Sequence, residues 1–340
     1  MTIASGLGAT WGFAEETTYG TFKAPDHFLQ VESDKVKGSK KTVQSASLHG
    51  GPVEQASRRR VVFKDAKGPV ALDLTDAKLG LLLKHMIGSS ATAVQQGATT
   101  AYLQQHVPGD FQGLGLSLQS GRPDITGTVN AFSYAGAKVI DWEIAVSAAQ
   151  LAKFSVTFDA VSESTVETYT APSYTSMGVL SFVDASLLLG GTVTSVAGVV
   201  TGYAGGAAPV GTVKSVSLKG ANAMAVDREQ IGSLVKSQPI EDNWRKITGS
   251  MTVEFANLTE IYDLYNADTQ VSLELKFQGE LISGSYYKGL TITCPAVFLD
   301  GEPPETDGPK ILELTVPFTV LDDGTNPVIE FDYMSTDIAL

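Results

Sequence analysis

The chain of 340 residues contains the same strand pattern twice, and this repeat limits the folds that it can adopt. The segment V-E-S-D-K-V-K-G at 31–38 matches V-K-S-V-S-L-K-G at 213–220, so that Val31 aligns with Val213 and Gly38 with Gly220. Each segment is an alternating pattern that ends at a glycine, which is typical of a β-strand. A shift of about half the chain predicts two similar units in tandem.

A second strand and a helix follow in both copies. Here the offset between matching residues of the two copies is one position smaller than in the first strand. Asp76 is predicted to cap a helix that ends at Gly88, and Asn257 holds the matching place before a helix that runs through Tyr265. The apolar positions of the strand before the helix are Gly68, Val70, Leu72 and Leu74 in the first copy and Gly249, Met251, Val253 and Phe255 in the second.

Three further strand patterns occur in the same order in both halves. Residues 114–118, 134–140 and 151–161 match residues 271–277, 287–294 and 311–321, and the last pair carries a Phe in the same late position. The repeat is therefore β-β-α-β-β-β, with a boundary near 163–176 and units at 1–170 and 171–340. We predict a mainly β protein with two tandem β-sandwich or barrel units, each with one flanking α-helix.

The composition agrees with this fold and argues against a nucleic-acid binder. The chain has 34 Gly and 14 Pro, which favours short strands with turns, and 24 basic against 37 acidic residues, a net charge of −13. Its single cysteine, Cys294, excludes an intramolecular disulfide, and no His/Cys spacing indicates zinc. We expect no cofactor, no metal, no export signal and no membrane segment.

The sequence contains no motif that would place a catalytic nucleophile. We interpret Ser117 as the solvent face of a strand, His85 as a cap at a helix C-terminus and His106 as polar surface. Acidic pairs, namely Asp322 with Asp323, Asp300 with Glu302 and Glu241 with Asp242, could suggest paired catalytic carboxylates or a calcium site. Asp300, Asp307 and Asp323 are each followed by glycine and are more simply turn residues. The chain is predicted not to be an enzyme; a hydrolase that uses His106 or the acidic pairs is the minor alternative.

Two long polar loops are the predicted working surfaces. Residues 38–60 and 220–246 follow the opening strand of each half of the repeat. If several molecules of this chain assemble into rings, the charges of these loops can pair with a neighbouring molecule in the same or an adjacent ring. The alternative is that Arg58, Arg59 and Arg60 form a strand edge that is exposed to solvent and contacts no other molecule. The candidate contact residues are Arg58, Arg59, Arg60, Asp227, Arg228, Glu229, Glu241, Asp242 and Arg245.

A Gly-rich insertion at about 190–211 lies inside the uncharged stretch 185–213. This stretch is predicted to form a hairpin or a long surface loop. It is either a flexible excursion or a surface that packs on a neighbouring subunit.

The opening L-G-A-T-W-G-F-A-E-E-T-T-Y-G-T-F-K-A-P at 7–25 resembles that of major tail tube proteins of long-tailed, siphovirus-like bacteriophages. The stretches R-K-I-T-G-S-M-T-V-E-F at 245–255 and L-D-G-E-P-P-E-T-D-G at 299–308 extend the resemblance along nearly the whole chain. The residues of the opening that carry it are Gly12, Glu15, Thr17, Tyr19, Gly20, Thr21, Ala24 and Pro25.

The resemblance implies a structural virion protein whose stacked rings form the tail tube, a conduit for DNA ejection. It implies synthesis in the host bacterial cytoplasm, a place in the phage tail, and tape-measure, tail terminator and distal tail proteins as partners. Double-stranded DNA would pass through the lumen without specific binding. Single-unit members form sixfold rings, so the repeat predicts three copies with pseudo-sixfold symmetry rather than six.

A β-sandwich binding module, such as an adhesin or a carbohydrate-binding domain, is the alternative from another class. Such a module normally exposes a platform of aromatic rings. The three tryptophans, Trp11, Trp142 and Trp244, do not cluster in the sequence.

Overall fold

The computed structural model describes residues 5–259, 261–301, 308–309 and 311–340. In these residues the chain forms twenty β-strands and two short α-helices, which confirms the mainly β prediction. The strands of the first half are β1 Thr10–Glu15, β2 His27–Phe28, β3 Ser33–Asp34, β4 Lys37–Gln44, β5 Arg59–Asp73, β6 Val94–Gln95, β7 Tyr102–His106, β8 Leu116–Pro123, β9 Val129–Ser147, β10 Lys153–Ala160 and β11 Ser162–Ser164.

The second half contains nine strands. They are β12 Ala185–Leu189, β13 Thr192–Val196, β14 Val199–Ala204, β15 Val213–Ala221, β16 Lys246–Glu254, β17 Val271–Ser283, β18 Tyr286–Leu299, β19 Glu313–Val320 and β20 Glu330–Ser335. The helices are α1 Gly80–Ile87 and α2 Tyr262–Asn266.

Antiparallel pairing follows the same order in the two halves. In the first half the ladder is β1-β8-β9-β10-β5-β4. In the second half the ladder is β12-β17-β18-β19-β16-β15. The long strands β9 and β18 each change partners along their length, β9 from β8 to β10 and β18 from β20 to β19.

The strand registers agree with the sequence alignment of the two copies. Lys37 lies opposite Lys67, and their counterparts Lys219 and Thr248 also lie opposite each other. Phe158 lies opposite Gly68, and Phe318 lies opposite Gly249. A Cβ atom on Gly249 would lie 2.2 Å from the Phe318 ring, so this position must be glycine for the phenyl ring to cover the neighbouring strand.

Two ladders join the two halves: β9 pairs with β15, and β7 pairs with β20 from His106 opposite Phe331 to Tyr102 opposite Ser335. Strand β15 pairs with β9 from Ser215 opposite Ser147 to Ala221 opposite Asp141. A single sheet, in the order β4-β5-β10-β9-β15-β16-β19, therefore runs through the whole chain. Its inner face contributes to one apolar cluster that includes Phe154, Phe158, Ile144, Leu218 and Phe318. Burial of these large side chains is the main term that stabilises the fold.

The two helices differ from the prediction at their starts. Helix α1 begins at Gly80 without a side-chain cap, and α2 begins at Tyr262. The Asp76 carboxylate instead accepts a hydrogen bond from the Gly178 N–H (2.7 Å) and binds the Lys288 Nζ (3.0 Å). The predicted cap at Asp76 is wrong because these two partners, both distant along the chain, hold the carboxylate, and the predicted cap at Asn257 is wrong because α2 starts later.

A buried carboxylate ties the N-terminal segment to strands β8 and β9. Glu16 accepts hydrogen bonds from the N–H groups of Gly20 (2.6 Å) and Gly136 (2.7 Å) and from the Ser117 hydroxyl (2.9 Å). Tyr19 donates to the carbonyl of the same Gly136 (2.9 Å). Ser117 is fully buried, so the prediction that it faces solvent is wrong. Its polarity is needed because it satisfies a buried charge.

Replacing Glu16 with Ala leaves the N–H groups of Gly20 and Gly136 without their acceptor. We expect the free energy of unfolding to fall by about 3 kcal/mol, as for lost hydrogen bonds to a charged group. Urea denaturation checks this, with the exposed Glu54→Ala as the control that changes stability by less than about 0.5 kcal/mol. Equal stability of the two variants would contradict this role of Glu16.

Candidate assembly surface

The first predicted loop belongs to a long hairpin that we call the basic hairpin, residues 37–64. It consists of β4, the connection 45–58 and the first part of β5. It holds seven lysines and arginines and a single carboxylate, Glu54, which leaves 17 cations and 36 carboxylates for the rest of the chain. The hairpin is therefore a strongly positive element on a strongly negative protein.

The three arginines of the basic hairpin are exposed. Arg58 donates to Gln55 Oε1 (3.1 Å), and Arg59 lies at the limit of a hydrogen bond to Thr42 Oγ1 (3.5 Å). Among the described residues, Arg58, Arg59 and Arg60 form no ion pair. The apolar side chain of Leu48 in the connection is also fully exposed. The hairpin thus presents both charge and apolar surface to the outside.

The second predicted loop, 220–246, is shorter in the structure, because β15 ends at Ala221 and β16 begins at Lys246. The connection 222–245 crosses back onto the first half, and we call it the anchored loop. Lys236 lies with its Nζ 2.6 Å from Asp65 Oδ1 and 2.6 Å from Asp159 Oδ1. The side chains of Lys236 and Asp159 are each only 1 % exposed. The Leu234 carbonyl accepts a hydrogen bond from the N–H of Lys64 in the basic hairpin (2.7 Å). These contacts join the anchored loop to the end of the basic hairpin and to β10.

The ends of the anchored loop are held near the C-terminus of α1. Asn222 donates to the carbonyls of Met86 (2.8 Å) and Val139 (3.0 Å). Arg245 donates to the Ile87 carbonyl (3.0 Å), and its guanidinium carbon lies 4.3 Å from the centre of the Phe111 ring. A cation at this point is favoured by the helix dipole and satisfies a carbonyl that has no partner within the helix.

The predicted contact residues therefore divide into two groups. Arg245 pairs with Glu241, and Arg228 donates to the Gln238 carbonyl, so these three residues hold the anchored loop in place. The remaining six are exposed on the two loops: Arg58, Arg59, Arg60, Asp227, Glu229 and Asp242.

Sequence reasoning missed the buried ion pairs of Lys236. Its partners Asp65 and Asp159 lie 171 and 77 residues away, so no local spacing indicates them. Burial raises the pKa of Asp159 to about 6, although Lys236 acts in the opposite direction. Lys236 therefore offsets part of the free-energy cost of burying the Asp159 carboxylate as an anion.

The Gly-rich insertion contains a hairpin, β13 and β14, that is attached to its own chain. The Val200 N–H donates to Glu330 Oε2 (2.6 Å), and the Ser195 hydroxyl donates to Asn326 Oδ1 (2.8 Å). Burial raises the pKa of Glu330 to about 8. The preceding residues Ala185–Leu189 are not part of a surface loop, since they form β12, which pairs with β17.

The two central histidines are buried. His106 is fully buried and bonds through Nδ1 to the Ser89 hydroxyl (2.8 Å), and burial lowers its pKa to about 3. His85 lies inside the core, 3.4 Å from Glu15, with a pKa that burial also lowers. The predictions of a polar surface position and of a helix cap are both wrong. A histidine enclosed in this way cannot reach a substrate.

The acidic pair Asp322 and Asp323 serves a turn, whereas Glu241 of another predicted pair binds Arg245. Asp322 accepts from the Gly324 N–H (2.8 Å), and Asp323 accepts from the N–H groups of Thr325 and Asn326 (2.8 and 2.7 Å). Glu302, a member of another predicted pair, lies outside the described residues. In the described part of the chain, no group of three or more His, Cys, Asp or Glu side chains is arranged to hold a metal ion.

The structure so far defines an antiparallel β protein with charged loops and with its central histidines enclosed. A family model described as "Phage tail tube protein" matches residues 6–320. The chain belongs to the phage tail tube family, which confirms the resemblance. Membership implies a structural, non-enzymatic role in the virion tail and assembly with other tail proteins.

The comparison with curated proteins gave no match. Among the described residues, no helix has the length and apolar character needed to cross a membrane.

The buried ion pairs of Lys236 predict that the stability of a variant without this lysine depends on pH. Because the pKa of Asp159 in the folded chain is about 6, above the ordinary value of about 4, its protonation adds stability below pH 4 that is lost as the pH rises through 6. In Lys236→Met, we expect unfolding to be easier by about 3 kcal/mol at pH 8, where the carboxylate is charged and unpaired, and the loss to be smaller at pH 5.

Denaturant melts at the two pH values measure this difference. The exposed lysine variant Lys246→Met is the control and changes stability little at either pH. An equal loss for Lys236→Met at pH 5 and pH 8 would count against the role of Lys236 as the counter-ion of Asp159.

Proposed function

We propose that this chain self-assembles into stacked rings that form a phage tail tube through which DNA leaves the capsid. The observation that carries the proposal is the sheet that continues from β4 to β19 through both halves. An edge at each end of such a sheet allows copies to join head to tail, and a regular angle between copies closes a ring.

The same proposal includes two tandem tail-tube-like units, at 1–170 and 171–340, with the Gly-rich insertion at about 190–211. It is supported by the common order of the two ladders and by registers that follow the sequence alignment. If each chain supplies two equivalent units, three chains supply six. We therefore favour a trimer with pseudo-sixfold symmetry over a hexamer.

The basic hairpin is proposed to contact an adjacent ring. Its exposed arginines, Arg58, Arg59 and Arg60, have no charged partner within the described chain, and Asp227, Glu229 and Asp242 are exposed carboxylates of opposite sign. Pairing of these groups between copies fixes the relative rotation of stacked rings more than it adds energy, and it weakens with salt. Arg228, Glu241 and Arg245 contribute by positioning the anchored loop.

DNA is proposed to pass without specific binding because the chain carries many more carboxylates than cations. The net charge is −13, and two lysines of the continuous sheet are paired, Lys219 with Glu143 (3.2 Å) and Lys153 with Asp73 (2.7 Å). An excess of negative charge repels a phosphate backbone, and a paired lysine releases few counterions from it. Tape-measure, terminator and distal tail proteins are the proposed partners at the tube ends, and the host cytoplasm is the proposed place of synthesis.

The aromatic residues do not favour a binding module. Trp11 and Trp142 are buried in the core, and Trp244 alone is exposed, at 86 %. A carbohydrate platform normally needs several rings on one face. The enclosed histidines and the turn carboxylates likewise give no support to a hydrolase.

Negative-stain imaging of the concentrated chain tests the proposal, with rings or tubes that have a central hole as the expected result. The triple variant Arg58→Ala, Arg59→Ala, Arg60→Ala should keep the fold but stack poorly. We expect roughly a tenfold higher concentration to be needed for tubes, which corresponds to about 1.4 kcal/mol per contact.

The matched control removes three exposed lysines from the continuous sheet, at Lys67, Lys219 and Lys246. It changes the net charge equally but leaves the basic hairpin intact, so its tubes should form as in the parent chain. Equal effects of the two triple variants would mean that net charge, and not the hairpin, controls stacking.

A further inference from the structure

The outer edge of the opening strand in the first half is closed by side chains. At this edge, the Val36 carbonyl accepts hydrogen bonds from Arg122 Nη2 (2.9 Å) and from the Tyr134 hydroxyl (2.9 Å). Two residues on, the Gly38 N–H donates to Glu163 Oε2 (2.9 Å). Polar backbone groups that a neighbouring strand would use are therefore already occupied.

The closing side chains form one connected group, which we call the edge cap: Asp34, Arg122, Tyr134 and Glu163. Tyr134 also donates to Glu163 Oε2 (3.1 Å), and Arg122 lies 3.3 Å from Asp34. Asp34 in turn accepts from the Val36 N–H (2.9 Å). A Cβ atom at position 38 would lie 2.7 Å from the Cβ atom of Glu163. The Glu163 side chain can therefore reach this edge only because residue 38 is glycine.

The corresponding edge of the second half is used in a different way. In the alignment of the two opening strands, Val36 and Gly38 correspond to Leu218 and Gly220, which lie opposite Ile144 and Trp142 of β9. The Trp142 ring covers Gly220, where a Cβ atom would lie 2.2 Å from it. The edge that is capped by side chains in one half is thus a strand-to-strand junction in the other.

Side chains that cover a strand edge are a known means of preventing unwanted pairing between sheets. In the second half the edge is occupied by the first half of the same chain, so it needs no protection. In the first half, β4 pairs with β5 on one side and with no other strand of the described residues. The cap lies at the β4 end of the continuous sheet, and at the other end β19 pairs with β18 only through Phe318–Val320.

We propose that the edge cap is an autoinhibitory contact, which keeps the first-half edge closed in the free chain and is displaced by the second half of another copy during assembly. The occupant is the edge of β19 in that copy, because β18 covers only the last three residues of this edge, Phe318–Val320. On the side of β19 that faces away from β16, residues Glu313–Pro317 pair with no strand of the described chain. This inference rests on the proposed ring assembly.

The test compares the assembly rate of Glu163→Ala with that of Glu167→Ala in the full-length chain. Both variants remove one carboxylate from the segment after β10, but Glu167 contacts the Ser164 hydroxyl, whereas Glu163 bonds the edge. Light scattering at equal concentrations of folded protein gives the rates. We expect Glu163→Ala to assemble about tenfold faster or more, the factor of a charge-assisted hydrogen bond, and Glu167→Ala to match the parent chain.

Hydrogen exchange at the Gly38 amide shows whether the cap has opened in the unassembled variant, and circular dichroism shows that the variant is folded. If Glu163→Ala does not fold, Tyr134→Phe replaces it, since it removes the hydroxyl that bonds both Val36 and Glu163 and keeps the ring. The expected result is again faster assembly.

The outcomes separate this inference from the function on which it rests. The autoinhibitory role alone would be overturned if the parent chain assembles and Glu163→Ala exchanges faster at Gly38 but assembles at the same rate as the parent chain or at a lower rate. Parent chain and variants that all stay monomeric under every condition, including seeding with tail tubes, would overturn ring assembly and the inference together.

Discussion

The ladder between β9 and β15 is the interaction on which the rest of this structure depends. It joins two halves that each contain the same order of strands, and it makes one sheet from them. Its geometry requires a residue without a side chain at Gly220, where Trp142 covers the backbone. Backbone pairing at this junction fixes the register, and the large apolar side chains beneath it supply most of the stabilisation.

The charges of the chain are arranged around that junction. Lys236, Asn222 and Arg245 all reach from the anchored loop to the first half, where they satisfy buried carboxylates or helix carbonyls. These internal contacts leave the basic hairpin, with Arg58–60, as the positive element that is still unpaired within the described residues. A chain of this kind has its internal junction complete and its external contacts available, as a subunit of a larger assembly requires.

The sequence predicted the strands better than the polar contacts, for a physical reason. Alternation and glycine positions are local signals, so the alignment of Gly38 with Gly220 and of Phe158 with Phe318 also describes the observed registers. Burial of polar groups depends on partners that are distant along the chain. Ser117 is buried because Glu16 needs a donor, and the Asp76 cap fails because Lys288 and Gly178 bind that carboxylate. Lys236 gave no local signal, so the most buried ion pairs of the site could not be predicted.

The number of copies in each ring is the measurement that tests the proposed tandem organisation most directly. Native mass spectrometry of isolated rings gives that number from the ring mass, with the monomer of 35.8 kDa as the unit. We expect three copies, and averaged end views of the same rings should show six similar lobes that alternate between two types. Six copies with six equivalent lobes would contradict this organisation, because each chain would then supply a single ring position and the two halves would not be equivalent units.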